Sequence, residues 1–266
     1  MQAILSLLLI VPLAQAPADP ASDLREQAET AVERIDKAFK NKTMEPSQKG
    51  NALRAESGVL HELVIKRIAK ELGDKKPLIR DAAVESLGTM IHTESLKALL
   101  KHGKRDRKQM VKQDEYHVAW IKAIGRQQDE EALDALTNKL FTYPTAAVIQ
   151  ARVFAIGNIR SVKSVDTLIQ LMTVTDARRV NNHMPNLQTA LIRLTSVDLG
   201  VNAQSWADWW RTSKKTFQIP KEPPVMKKQM QARWDRFWGY ERTYDRNAKR
   251  SKRGQDPEDD PDGGGN

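Results

Sequence analysis

Histidine has the widest chemical repertoire of any side chain near neutral pH, serving as base, proton shuttle or metal ligand. This chain carries five, His61, His92, His102, His117 and His183. No two stand four residues apart, the spacing that puts paired ligands on one helical face, and each falls in a different predicted element. The sequence has no cysteine, which excludes thiol catalysis, thiolate metal sites and disulfides. Neither G-x-S-x-G nor H-E-x-x-H occurs, nor any glycine-rich phosphate or dinucleotide loop. Glu258, Asp260, Asp262 and Gly263 imitate the opening of a calcium loop, but no bidentate glutamate follows them. The expectation is a protein with no catalytic residue, no cofactor and no metal, whose chemistry is that of charged and aromatic surfaces.

Those surfaces are unevenly distributed. The formal charge is +9, of which residues 1–210 carry +4, residues 211–253 carry +10 and residues 254–266 carry −5. One basic run stands outside the C-terminal segment: KHGKRDRKQMVK, Lys101–Lys112, has six basic residues and one acid. It is expected in a loop between paired helices, with Lys104, Arg105, Arg107, Lys108 and Lys112 as contacts. Lys75, Lys76, Arg178 and Arg179 should share that edge, which would attract an acidic partner. Further on, Met226, Met230, Trp234 and Phe237 fall at helical spacing in VMKKQMQARWDRFWGYERTY, a basic amphipathic helix with an aromatic end. With Trp234 and Trp238 as anchors, this helix can dock on the chain itself or on a partner, or lie on a membrane surface. Nucleic acid or another polyanion is the alternative. Arg233, Arg236, Arg242, Arg246, Lys249, Arg250, Lys252 and Arg253 would then hold phosphates while Trp234, Trp238 and Tyr240 stack.

The elements that must position these residues are helices. Aromatics are only 6% of the chain and alternating β-branched runs are scarce. Aligned on Leu87, Ile124, Ile156 and Leu194, the sequence repeats at intervals in the range of helical pairs. Five residues before each anchor stand Ala82, Ala119, Ala151 and Thr189, and three before stand Val84, Ile121, Val153 and Leu191. Gly88, Gly125 and Gly157 follow the first three anchors and suit helix C-caps. Downstream, Leu96, Leu133 and Val165 keep the register, as do Leu99, Leu136 and Leu168; the fourth unit has Ala203 and Trp206 there. By that register Trp206 and Trp210 are interior. Each alanine-rich helix is expected to be the inner member of a pair, approached closely by its neighbours along a stack.

GDKKPLIRDAAVESLG, Gly73–Gly88, resembles the turn and second helix of the HEAT-repeat family, with Pro77, Ile79, Arg80, Ala82, Ala83, Leu87 and Gly88 in the family's places. The resemblance runs from about Val59 to Lys215. ALIRLTSVDLGVNAQSWADWWRTSKK looks like the terminal unit of exported bacterial HEAT-repeat proteins. It implies an all-α solenoid that holds other macromolecules; no residues match the chromophore site of the enzymatic, lyase-related branch. In such a stack the positions two and six before each anchor face the concave side. They run from Asp81 and Glu85 through Val118 and Lys122 to Gln150 and Phe154, then Gln188 and Ile192. Phe154 and Ile192 are too apolar for solvent, so a partner or the chain itself must cover them, with Lys122 beside them.

Five segments result. Residues 1–18 read as an export signal, with the apolar stretch Ala3–Leu13 too short to span a bilayer and a cut after Ala18. Residues 19–57 form an N-terminal helical cap, with Leu24, Ala28, Ala31, Val32, Ile35 and Phe39 on one face. Residues 58–215 form the solenoid and 216–253 the linker and basic helix. Residues 254–266 are an acidic tail without apolar residues, expected to be disordered. The functional expectation is a non-catalytic exported scaffold that binds a protein through its concave face and basic edge, the edge favouring an acidic partner. Export disfavours nucleic acid.

Overall fold

The computed structural model describes residues 20–106, 110–140, 145–177 and 181–240, and every regular element among them is helical. The first half holds α1 (Pro20–Lys40), α2 (Pro46–Glu56), α3 (Glu62–Ala69), α4 (Pro77–Thr89), α5 (Thr93–Arg105) and α6 (Asp114–Arg126). The second holds α7 (Leu133–Thr137), α8 (Ala146–Asn158), α9 (Val162–Ala177), α10 (Met184–Thr195), α11 (Ala203–Ser213) and α12 (Lys228–Trp238). Helices α2, α4, α6, α8 and α10 form one row, each packed on the next. On its other side α3 packs on α5 and α9 on α11.

Burial follows the sequence register closely. The anchors Leu87, Ile124, Ile156 and Leu194 are fully buried, as are Val84, Ile121, Val153 and Leu191. Leu99, Leu136 and Leu168 fill the space between the rows with Trp206. Each such aliphatic side chain contributes about 1.5–3 kcal/mol by leaving water. Helix starts are set locally: Pro77 stands in the first turn of α4, where its missing N–H is no loss. His61 and His92 cap α3 and α5, their Nδ1 atoms accepting from the backbone N–H of Leu63 and Glu94.

The glycines play a different part from the one their position suggests. Gly88, Gly125 and Gly157 lie inside α4, α6 and α8, without the left-handed φ of a C-cap. Each faces an alanine of the next inner helix. A Cβ on Gly88 would stand 2.9 Å from Ala123, one on Gly125 2.7 Å from Ala155, and one on Gly157 2.7 Å from Ala190. The recurring glycine is therefore a contact device that brings successive inner helices together, and each helix runs one residue past it. Gly50 of α2 meets Ala82 in the same way at 3.1 Å, so α2, grouped with the cap by its sequence, packs as a member of the inner row.

At one end α1 packs on α2 and α3, burying Ala28, Ala31 and Ile35. It begins at Pro20. Arg67 ties α1 to α3, pairing with Asp36 at 2.5 Å and Glu71 at 2.6 Å beside the Phe39 ring. This bond holds the Asp36 carboxyl below its ordinary pKa. At the other end Trp206 and Trp210 of α11 are buried, donating to Gly200 O at 2.9 Å and Asp166 Oδ1 at 2.7 Å. Those two rings are core, as their register implies. Among the described residues no helix is long and apolar enough to cross a membrane. The export segment 1–18 and the tail 254–266 lie outside the described residues.

Candidate functional site: a covered groove on the inner row

The candidate site is built across α6, α8 and α10, from Lys122 and Arg126 on the first, Phe154 on the second, and Ile192 and Arg193 on the third. Phe154 and Ile192 are 0% and 7% exposed. Their cover is α12. The Trp234 ring lies 5.2 Å from that of Phe154, and Phe237 meets the same ring edge-on at 5.3 Å. Trp238 reaches α6, its Cη2 3.2 Å from where a Cβ on Gly125 would be. Of the two covers expected, a partner or the chain itself, the chain's own aromatic helix lies over the Phe154 ring.

Why α12 forms and stops is local. Met226, Met230, Trp234 and Phe237 fall on one face, and Trp234 and Trp238 one turn apart are both buried. Gly239 ends the helix at φ +78°, a left-handed conformation glycine adopts without strain. Hydrogen bonds fix its path across the row. Lys227 pairs with Asp198 beyond α10 at 2.8 Å, and Arg126 of α6 donates to Trp238 O at 3.5 Å. The preceding linker is held by Arg160, which donates to the carbonyls of Pro220 and Lys221.

The electrostatics of the groove are unusual. Lys122 lies 4.6 Å from the Phe237 ring centroid and Arg193 5.4 Å from that of Trp234, both favourable cation–π placements. Among the described residues none of Lys122, Arg126 and Arg193 forms an ion pair. Burial pushes the Lys122 ammonium below its ordinary pKa, and Arg126 adds to the effect. Burial does the same to Arg193, although Tyr240 and Asp235 pull the other way. Among the described residues the two anchoring indoles also lack acceptors: Trp234 Nε1 and Trp238 Nε1 are buried without a hydrogen-bond partner. A buried donor left so costs about 1–3 kcal/mol.

The basic edge is arranged differently from its expectation. Lys101, Lys104 and Arg105 lie in the last turns of α5, not in a loop, where cations suit the negative end of the helix. Lys104, Arg105 and Lys112 are exposed; Arg107, Lys108, Arg178 and Arg179 lie outside the described residues. Arg105 stands beside the turn before α4, its Nη2 2.8 Å from where a Cβ on Gly73 would be, which brings Lys75 and Lys76 to the same edge. Lys104 also rims a cleft of about 320 Å³ beside Trp120. For the polyanion alternative, Trp234 and Trp238 are buried and cannot stack on bases here, while Tyr240 is exposed. Arg242, Arg246, Lys249, Arg250, Lys252 and Arg253 lie outside the described residues.

Sequence reasoning missed one buried cluster. His102 Nε2 lies 2.5 Å from Tyr116 Oη and its Nδ1 2.8 Å from Asp106. The Arg80 guanidinium stacks on Tyr116, 4.2 Å from its centroid, and donates to Gln113 Oε1 at 2.8 Å. Burial lowers the pKa of His102, with Asp106 opposing, and raises that of Tyr116. The His102–Asp106 spacing of one helical turn was the available signal. The cluster joins α4, α5 and α6, and its closed position makes it a packing network. Neither protein-family models nor curated proteins give a match to the chain.

Proposed function

We propose that the chain is a HEAT-like α-solenoid that works as a non-catalytic, exported binding scaffold, recognising a protein partner through the concave groove of its inner row and the basic edge around Lys104, Arg105 and Lys112. One observation carries the reading: the groove over Phe154 and Ile192 already holds an amphipathic helix by inserted aromatic anchors, which is how helix-in-groove recognition works. The repeated glycine-to-alanine contacts support the solenoid, since small residues at one register of successive helices give a regular stack. The exposed basic edge supports an acidic partner, steering encounter while the apolar groove holds the complex. Export rests on the apolar segment Ala3–Leu13.

The test is affinity capture from the cell envelope, with the full chain and a Lys104→Glu, Arg105→Glu, Lys112→Glu variant as baits at low and moderate salt. The expected result is one dominant protein, retained at both salts by the full chain and depleted with the variant. A salt-sensitive mixture of nucleic acid or other polyanions would instead favour the basic C-terminal segment as the binding element.

A further inference from the structure

Helix α12 lies across the inner row, and its length suits that span. Its 11 residues are about 16 Å long. Packed helices stand about 8–10 Å apart, so three in a row cover about 16–20 Å from first axis to last. At its start Lys227 pairs with Asp198 beyond α10 at 2.8 Å, and Arg233 Nη1 donates to Asn186 Oδ1 of α10 at 3.5 Å. Its middle sets Trp234 and Phe237 on the Phe154 ring of α8. Its end puts Trp238 on α6 at Gly125, the residue whose missing Cβ lets α6 approach Ala155 of α8. Two cations of the row meet its rings, Arg193 of α10 at Trp234 and Lys122 of α6 at Phe237. Burial works against the Arg193 charge, and Tyr240 and the buried Asp235 of the same segment support it. One helix thus holds three successive members of the row at once.

Where helices stack in a row, each touches its neighbours, and the shape of the row is the sum of small rotations between them. A helix bonded to three members couples the first to the third, which nearest-neighbour contacts do not. The ties on the other side of α6 have a shorter reach. Arg54 of α2 pairs with Glu85 of α4 at 2.7 Å, and Arg80 of α4 donates to Gln113 beside α6 at 2.8 Å, each joining one helix to the next. Arg54 and Glu85 are exposed, so no described helix covers the row at those residues. We infer that α12 is a strap that fixes the spacing and angle of α6, α8 and α10, and that the row bends on its unstrapped side, at α2, α4 and α6. The half of the row that carries Asp81 and Glu85 is then the half that changes shape, while the half under α12 keeps its own.

The chain has no cysteine, so nitroxide labels can be placed in pairs on its full length. One pair, Glu115→Cys with Asn182→Cys, spans the strapped helices. The other, Ala55→Cys with Glu115→Cys, spans the unstrapped ones, and all three positions are exposed. Double electron–electron resonance is expected to give a narrow distance distribution for the first pair and a wider one for the second. Adding Trp234→Ala and Trp238→Ala should shift and widen the first, leave the second unchanged and preserve helical content by circular dichroism. Hydrogen exchange in Lys228–Trp238 shows whether α12 has left the row. If it has left and the first distribution stays narrow, the row is rigid without it and the inference is overturned. Equal widening of both pairs, or loss of helical content beyond that of α12, overturns it too, because α12 is then a general part of the core. A helix that stays docked without its two indoles overturns the anchoring, and equal widths in the unaltered chain overturn the bend.

Discussion

A single methyl group separates glycine from alanine, and at Gly157 the molecule has no room for it. In an exposed helix the change to alanine stabilises by about 1 kcal/mol, since glycine is the more flexible when unfolded. Gly157 has the opposite surroundings: a Cβ there would meet Ala190 Cβ at 2.7 Å and its Cα at 3.0 Å. The obstacle is partly backbone, which cannot rotate away as a long side chain can. Overpacking of this kind costs about 1–3 kcal/mol, enough to outweigh the propensity gain. Gly157→Ala is therefore expected to lower the urea midpoint, and Gly157→Ala with Ala190→Gly to lose less than the two single changes summed. Gly58→Ala, where nothing lies within 4 Å, is the control. A neutral Gly157→Ala would mean that α8 and α10 are not locked at this separation.

At the scale of the element, α12 and α11 differ although both are rich in tryptophan. Trp206 and Trp210 are placed between α9 and the chain that follows α10, with their N–H groups bonded, whereas Trp234 and Trp238 lie on the inner row with theirs unbonded. Trp234→Ala is expected to free α12 alone. Hydrogen exchange in Lys228–Trp238 should speed up and the linker of residues 216–227 should become a protease site, with the other helices as protected as before. Trp206→Ala removes a fully buried ring from the core and is expected to cost about 3–5 kcal/mol of global stability. If Trp234→Ala destabilises the whole chain equally, α12 is an integral part of the core and not a cover. Much of this was legible in the residues: the anchors, the inner-helix stripe and the face of α12 all follow from helical periodicity. Where α12 docks was not, because periodicity fixes a face and leaves its neighbour undetermined. The glycine series was misread for a related reason. A glycine near a helix end has two physical uses, a left-handed backbone or a close approach, and only the position of the next helix separates them. The basic run was assigned to a loop because charge marks exposure, and an exposed helix end satisfies that mark as well as a loop does.

On the scale of the whole molecule, a row in which each helix packs on its neighbours has ends that differ from its middle. Helix α6 is held by α4, α8 and α5 and α8 by α6, α10, α7 and α9, while α1 rests mainly on α2 and α3. The terminal contact at α1 rests on three buried alanines, Ile35 and the Arg67 pair with Asp36. Stability in such a row is close to a sum of units and nearest-neighbour interfaces, so opening should begin at the ends. Native-state hydrogen exchange is expected to show the slowest amides in α6 and α8 and faster ones in α1. Ile35→Asp buries a charge against α2 and α3, and should bring α1 to near-complete exchange while leaving α8 protected. Asp36→Asn, which keeps the shape and removes one ion pair, should do the same more weakly. A single exchange rate shared by α1 and α8 in every variant would mean that the chain opens as one unit, and that the contacts along the row are coupled beyond nearest neighbours.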